Sequence, residues 1–302
     1  MPDVTIIDVS PRDGLQNDPK SVSTEEKATL VRMLVESGVS KVEVTSFVHP
    51  EKVPQMADAS AVVKAVSSFK GLESIALIPN LKGYERARIH QLYEVNWVSS
   101  ATETFNEKNI GMSIEDNLNQ FKTVVKQAKN DGVKTCFSIA VSFGCPYEGE
   151  VSEEQVLSLV KKVKEAGADR IGIADTIGIA TPDQVEHLMG KVLRIAGYIP
   201  VTIHLHDTRG LGSANAYAAY QAGVTIFETA ASGIGGCPFA PGAAGNLATE
   251  DLVYLFERMN IDTGVDFEKL LDAADYAASL SSKNPLGRIR HVERKKDKGM
   301  RR

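Results

Sequence analysis

Residues 152–176 read SEEQVLSLVKKVKEAGADRIGIADT. The first half carries a serine followed by two acids and then apolar residues at helical spacing, the pattern of a capped amphipathic helix. A glycine closes it, and a short β-branched run follows that ends in Asp175. The pattern recurs. Two other helix-to-strand junctions, ESGVSKVEV and NDGVKTCFS, place glycine at the same point. Apolar runs at 4–10, 39–47, 73–80, 93–101, 133–141, 168–176, 199–207 and 224–232 predict eight strands, with amphipathic helical stretches between them. Strict alternation implies parallel strands joined by right-handed crossovers. Eight such units fit a closed (β/α)₈ TIM barrel, an α/β fold, better than an open doubly wound sheet. The first strand is not followed by GxGxxG, so a dinucleotide-binding sheet has little support. Residues 1–280 then form one catalytic barrel domain, with ATEDLVYLFERMN as its last helix and DFEKLLDAADYAASL as an additional C-terminal helical segment. Residues 281–302 read as a basic, solvated tail.

The bulk properties narrow the function. The chain has 302 residues, 43% hydrophobic and 24% charged, with a net charge of −5. That balance gives no support for a nucleic-acid partner, and no window approaches the roughly 20 apolar residues of a membrane span. MPDVTIID enters an apolar run at once, so no signal or transit peptide is expected there. Three cysteines, Cys136, Cys145 and Cys237, suit a reducing compartment rather than a disulfide framework, and a cytoplasmic location is the expectation.

In such barrels the active site lies at the C-terminal ends of the strands. Polar residues gather there. Strand one runs into SPRDGLQN with Arg12, Asp13 and Gln16; strand two carries Glu43; strand six carries Asp175; strand seven carries His204, His206 and Asp207; the loop after strand eight holds Cys237 and Asn246. His204 and His206 stand two apart on a strand and therefore share a face. Two inward imidazoles beside Asp13 and Asn246 make a divalent-metal site suited to Mg²⁺ or Mn²⁺ with open positions, and Zn²⁺ stays open. Arg12 has the fixed charge to stabilise a developing oxyanion. Glu43 and Asp175 are candidate catalytic acids, read either as groups that orient Arg12 or a metal ligand or as groups that touch substrate. Two Gly-Cys-Pro thiols compete on the residues alone, Cys145 in GCPYEG and Cys237 in GCPFAP. The glycines around Cys237 suit a flap that closes over substrate. Cys136, inside a strand, reads as core packing.

SPRDGLQN, VTSFVHPEKVPQMAD, PNLKGYE, GCPYEG, ADTIG, HLHDT and GIGGCPFAPGAAGNLATEDLVY together resemble the 3-hydroxy-3-methylglutaryl-CoA lyase family over nearly the whole chain. The resemblance implies a metallolyase cleaving HMG-CoA, a coenzyme A thioester, into acetoacetate and acetyl-CoA, with a homodimer left open. Carried over by position, Asp13, His204, His206 and Asn246 match the metal ligands and Arg12 the enolate-stabilising arginine. Cys237 matches the acid/base thiol of the loop, with His204 a second candidate for proton transfer, and Glu43 and Asp175 match supporting acids. No organic cofactor is implied. Arg209 after HDT and the wording ETAASG depart from the family pattern and leave open a related substrate such as citramalyl-CoA. Acetyl-CoA-dependent synthases of the isopropylmalate or homocitrate type share R-D-G-x-Q and HxH. They usually carry an acid where this chain has Leu15, and they lack the GGCP loop. A barrel without activity is disfavoured because every ligand position is filled.

Overall fold

Capping chemistry starts the crossovers where the sequence places it. Ser23 and Glu26 close a capping box on helix Thr24–Glu36, Ser152 and Gln155 do so on Glu153–Ala166, and Thr181 and Gln184 on Pro182–Ala196. Gly132 and Gly167 end their helices in the left-handed region, at φ +72° and +87°, where only glycine sits without strain. The computed structural model describes residues 2–236, 245–282, 285 and 287–299, with side chains to residue 293. Cys237 therefore lies outside the described residues.

The strands are β1 (Thr5–Asp8), β2 (Lys41–Ser46), β3 (Glu73–Ile78), β4 (Glu94–Ser100), β5 (Lys134–Ala140), β6 (Arg170–Asp175), β7 (Val201–Leu205) and β8 (Ile226–Thr229). They pair in chain order, all parallel, and close through β1 on β8, from Thr5 opposite Ile226 to Asp8 opposite Thr229. At least one helix follows every strand, so the fold is a (β/α)₈ barrel. Among the described residues no helix is long and apolar enough to cross a membrane.

Strand parity divides the side chains. Trp97 of β4 and Phe137 of β5 face outward onto Phe121 of helix Ile114–Asp131, with ring centroids 5.9 and 4.8 Å from it, and the Trp97 indole N–H donates to Asn117 Oδ1 at 2.8 Å. Ile171, Ile173, Ile203 and Phe227 are likewise buried on the outward parity of β6, β7 and β8. The inward positions are polar instead: Glu94 and Asn96 on β4, Ser138 on β5, Arg170 on β6, His204 on β7, Glu228 on β8. Barrels of this class usually fill that space with branched apolar residues. Here it has been given over to a site.

The sequence reading of 281–302 as a tail holds only in part. Arg288–Gly299 form a helix seated by charge: Arg288 pairs with Asp207 at 2.6 Å and Arg290 with Asp275 at 2.7 Å. One acceptor lies just after β7 and the other on helix Phe267–Leu280.

Candidate metal centre and active site

A single π-helical turn, Ser10–Gly14, follows β1 and turns Arg12 and Asp13 over the mouth of the barrel. From the opposite side β7 brings His204, and His206 follows just beyond the strand. The donor atoms of Asp13, His204 and His206 all lie within 4.8 Å of one another, a grouping able to hold a metal ion. The two imidazoles approach Nε2 to Nε2 at 3.1 Å. Asn246 joins them through a bridge to His206. Its Nδ2 donates to Asp13 Oδ2 at 2.8 Å and to the Ile234 carbonyl at 3.0 Å. Glycine is required beside it: a Cβ on Gly235, at φ +125°, would come within 2.5 Å of that amide nitrogen.

The donor set fits a divalent cation. Among the described residues, Asn246 Oδ1 and His206 Nδ1 are buried without a hydrogen-bond partner, and an amide oxygen left unpaired costs energy unless something else uses it. His204 Nδ1 lies 3.3 Å from Glu228 Oε2, which fixes the ring so that Nε2 faces Asp13 and His206. Burial opposes charge on Asp13, yet Arg12 and both imidazoles hold its carboxyl well below the usual carboxylate range. Burial, reinforced by His204, pushes His206 down to about 4. Burial alone would raise Glu228; the His204 hydrogen bond and Arg170 outweigh it and bring that carboxyl to about 2. The cluster thus offers an ionised carboxylate and a neutral imidazole at neutral pH, the forms that ligate metal.

Arg12 is 8% exposed and aimed into the same space. Its Nε pairs with Glu43 Oε2 and its Nη1 with Asp13 Oδ1 at 2.5 Å. Nη2 makes no hydrogen bond among the described residues. Glu43 in turn accepts from Asn96 Nδ2 at 2.9 Å, and Asn96 Oδ1 accepts from Ser138 Oγ at 2.7 Å. Glu43 is therefore placed to hold the guanidinium rather than to meet a ligand itself.

Asp175 is not one of the clustered donors. Its two oxygens accept the backbone N–H groups of Ile179 and Ala180, each at 3.0 Å, and so shape the loop after β6. Arg209, the residue that departs from the family pattern, staples that loop by donating to the Ile177 and Gly178 carbonyls at 2.8 and 3.0 Å. Asp207 turns away from the mouth to Arg288 and to the Gly212 N–H. Gln16 accepts from Ser46 Oγ at 3.0 Å and lines the cavity. Cys145 is 4% exposed and its Sγ accepts from Thr102 Oγ1 at 3.1 Å, a packed position.

Sequence reasoning passed over Glu228, Asn96 and Ser138, all of which line the cavity, and the Arg170–Glu94 pair beneath them. The signal was present. Each is a polar residue inside a β-branched run at the same strand parity as a known inward position. The cavity has a volume of about 790 Å³, and Lys52, Lys82 and Lys108 form a cationic rim, with His49 beside them.

A polar-lined (β/α)₈ barrel whose C-terminal mouth gathers side chains able to hold a metal ion has the architecture of a metal-site barrel enzyme. The match to the HMGL-like family model spans residues 3–276, and the chain belongs to that family. It is 44% identical to the hydroxymethylglutaryl-CoA lyase of Bacillus subtilis over 273 residues, 90% of this chain and 91% of that protein. To the human mitochondrial hydroxymethylglutaryl-CoA lyase it is 40% identical over 286 residues, 95% of this chain and 88% of that one. The crystal structure of the B. subtilis HMG-CoA lyase superposes with a TM-score of 0.92 at 42% identity, covering 97% of this chain and all of that one. An Acinetobacter baumannii HMG-CoA lyase in complex with coenzyme A and 3-methylmalate superposes with a TM-score of 0.89 at 39% identity, over 93% of this chain and 92% of that one.

Proposed function

We propose that this chain is a divalent-metal-dependent carbon–carbon lyase that cleaves 3-hydroxy-3-methylglutaryl-CoA to acetyl-CoA and acetoacetate. The observation that carries the reading is the meeting of Asp13, His204 and His206 with an Arg12 guanidinium whose Nη2 is uncommitted, all facing one cavity. Relatives at 40–44% identity carry the hydroxymethylglutaryl-CoA lyase name, which favours this thioester over citramalyl-CoA and lyase chemistry over acetyl-CoA-dependent synthesis. The cationic rim suits the phosphates of coenzyme A, and His204, His206 and Asp13 beneath it suit the acyl end.

Asp13, His204, His206 and the Asn246 amide oxygen would hold the cation, with Mg²⁺ or Mn²⁺ matching the mix of hard oxygens and imidazole. Bound there, a divalent cation supplies Lewis acidity to the substrate oxygens and lowers the pKa of the tertiary hydroxyl. A base takes the hydroxyl proton, and the oxygen's electron pair forms the ketone of acetoacetate. The breaking C–C pair passes into the thioester as the acetyl-CoA enolate, and an acid protonates its carbon. Arg12 Nη2 donates to that enolate oxygen. His204 has Nδ1 committed to Glu228 and Nε2 to the ligand cluster, so it is poorly placed to carry protons. Cys237, which matches the acid/base thiol of the family's loop, is the proton carrier on this reading. Glu43 steadies Arg12 and Asp175 shapes the loop beside the site. The whole domain, residues 1–280, acts as one catalytic unit.

The test is acetoacetate release from HMG-CoA by protein stripped with EDTA and then given Mg²⁺ or Mn²⁺. Cleavage that returns with metal is expected. Full turnover in metal-free protein, or none with either ion, overturns the reading.

A further inference from the structure

Arg170 opens β6 with its guanidinium inside the barrel, 5% exposed and below the cavity floor. Every arm of its fork is committed. Nε and Nη2 grip Glu94 of β4, at 3.2 and 2.5 Å, while Nη1 reaches Thr202 of β7 at 2.5 Å and Glu228 Oε1 of β8 at 2.9 Å. The other oxygen of Glu228 faces His204 Nδ1. A buried ion network of this kind seldom stabilises a fold more than apolar packing would, so stability alone is a weak reason for it. Its geometry gives a better one.

We propose that Arg170 is a positioning residue for His204, acting through Glu228; this rests on the metal reading of the site. A neutral imidazole has two tautomers, and only the one protonated at Nδ1 leaves a lone pair on Nε2 toward Asp13 and His206. A carboxylate can only accept, so Glu228 selects that tautomer. Glu228 can do so only while its plane is held, and Arg170 holds it by taking Oε1, which leaves Oε2 for His204. Glu94 anchors the guanidinium from the far side of the barrel without touching Glu228 or the ligands. Four strands thus set one nitrogen.

The test is Mn²⁺ binding to purified full-length protein stripped of metal, with free Mn²⁺ read by EPR. Arg170→Gln should weaken binding about 10- to 100-fold, as outer partners of metal ligands do, and Glu228→Gln should do the same. The decisive measurement is the double variant, which should bind no more weakly than Glu228→Gln alone because both act along one path. Losses that add, or wild-type affinity in a folded Arg170→Gln, overturn the inference. Should Arg170→Gln fail to fold, Arg170→Lys keeps the buried charge but cannot span both carboxylates. Weakened Mn²⁺ binding in that variant is then expected, and unchanged affinity refutes the role. A wild-type protein that binds no Mn²⁺ at all removes the metal reading itself, and this inference with it.

Discussion

Replacing Arg12 by methionine removes a guanidinium while keeping an unbranched side chain of similar reach. The structure sets the size of the expected loss. Two of the three nitrogens are already engaged, Nε by Glu43 and Nη1 by Asp13, so among the described residues' contacts Nη2 is the nitrogen left open to a developing oxyanion. The loss is therefore that of one oxyanion donor, about 10²- to 10³-fold in kcat, or about 2.7–4 kcal/mol of transition-state stabilisation. KM should move far less, because on the proposed mechanism the enolate charge that Arg12 meets does not exist in the bound substrate. Methionine also leaves Glu43 and Asp13 without their counter-charge, so the melting temperature will fall. Activity must be read well below it, by coupled detection of acetoacetate across a range of HMG-CoA and saturating Mg²⁺. Glu43→Gln is the companion: it keeps the arginine but weakens its anchor, and should lose less kcat than Arg12→Met. A defect confined to KM would make Arg12 a binding residue. A Glu43→Gln loss equal to that of Arg12→Met would show that orientation, not the Nη2 donor, is what matters.

His206→Ala should lower Mn²⁺ affinity at least tenfold in a direct titration, since it deletes one of three clustered donors; unchanged affinity would remove it from the ligand set. Cys237→Ser should keep metal affinity and lose most turnover, because a hydroxyl is a far weaker acid than a thiol, while the packed Cys145→Ser should cost little. The reverse ranking of their kcat values would move the chemistry to the wrong loop. Glu250 gives a pH prediction. Burial, opposed by only a few backbone hydrogen bonds, pushes its carboxyl from 4.5 up to about 8. The fold thus prefers it protonated, and the associated stability is complete below about 4.5 and is lost as pH rises through about 8. Urea unfolding at pH 5, 7 and 9 should show a decline on the order of 1.4 kcal/mol per pH unit in that window, and Glu250→Gln should flatten it. An equal slope in both proteins would assign the effect elsewhere.

The fold was legible because each αβ unit repeats its cap, its apolar period and its glycine. The histidine pair was legible because a spacing of two on a strand fixes a common face without knowing which face. Glu228 and Arg170 were harder. Their contacts join strands from opposite sides of the barrel, and no local spacing encodes which inward residues meet across it. The helix Arg288–Gly299 escaped for a different reason: charge seats it, and hydrophobic periodicity does not register a helix held by Asp207 and Asp275. Asp175 was legible as a strand-end acid, but not its partners: the backbone N–H groups of Ile179 and Ala180 that it accepts are set by the course of the loop, which residue spacing does not encode.

Asp13 and Asn246, joined by a hydrogen bond, stand 233 positions apart in the chain. They meet only once β1 has docked on β8. A chain still emerging during synthesis owns neither the second half of the ligand set nor the seam that brings it to the first. On the proposed ligand set, a cation at Asp13, His204 and His206 would act as a clasp across the seam between β1 and β8. Its grip belongs to the finished barrel, so added metal should slow unfolding and leave the refolding rate nearly untouched. Loss of the ion would first loosen the join between the two ends of the sheet, the one place where the barrel's continuity depends on residues that chain order does not make neighbours.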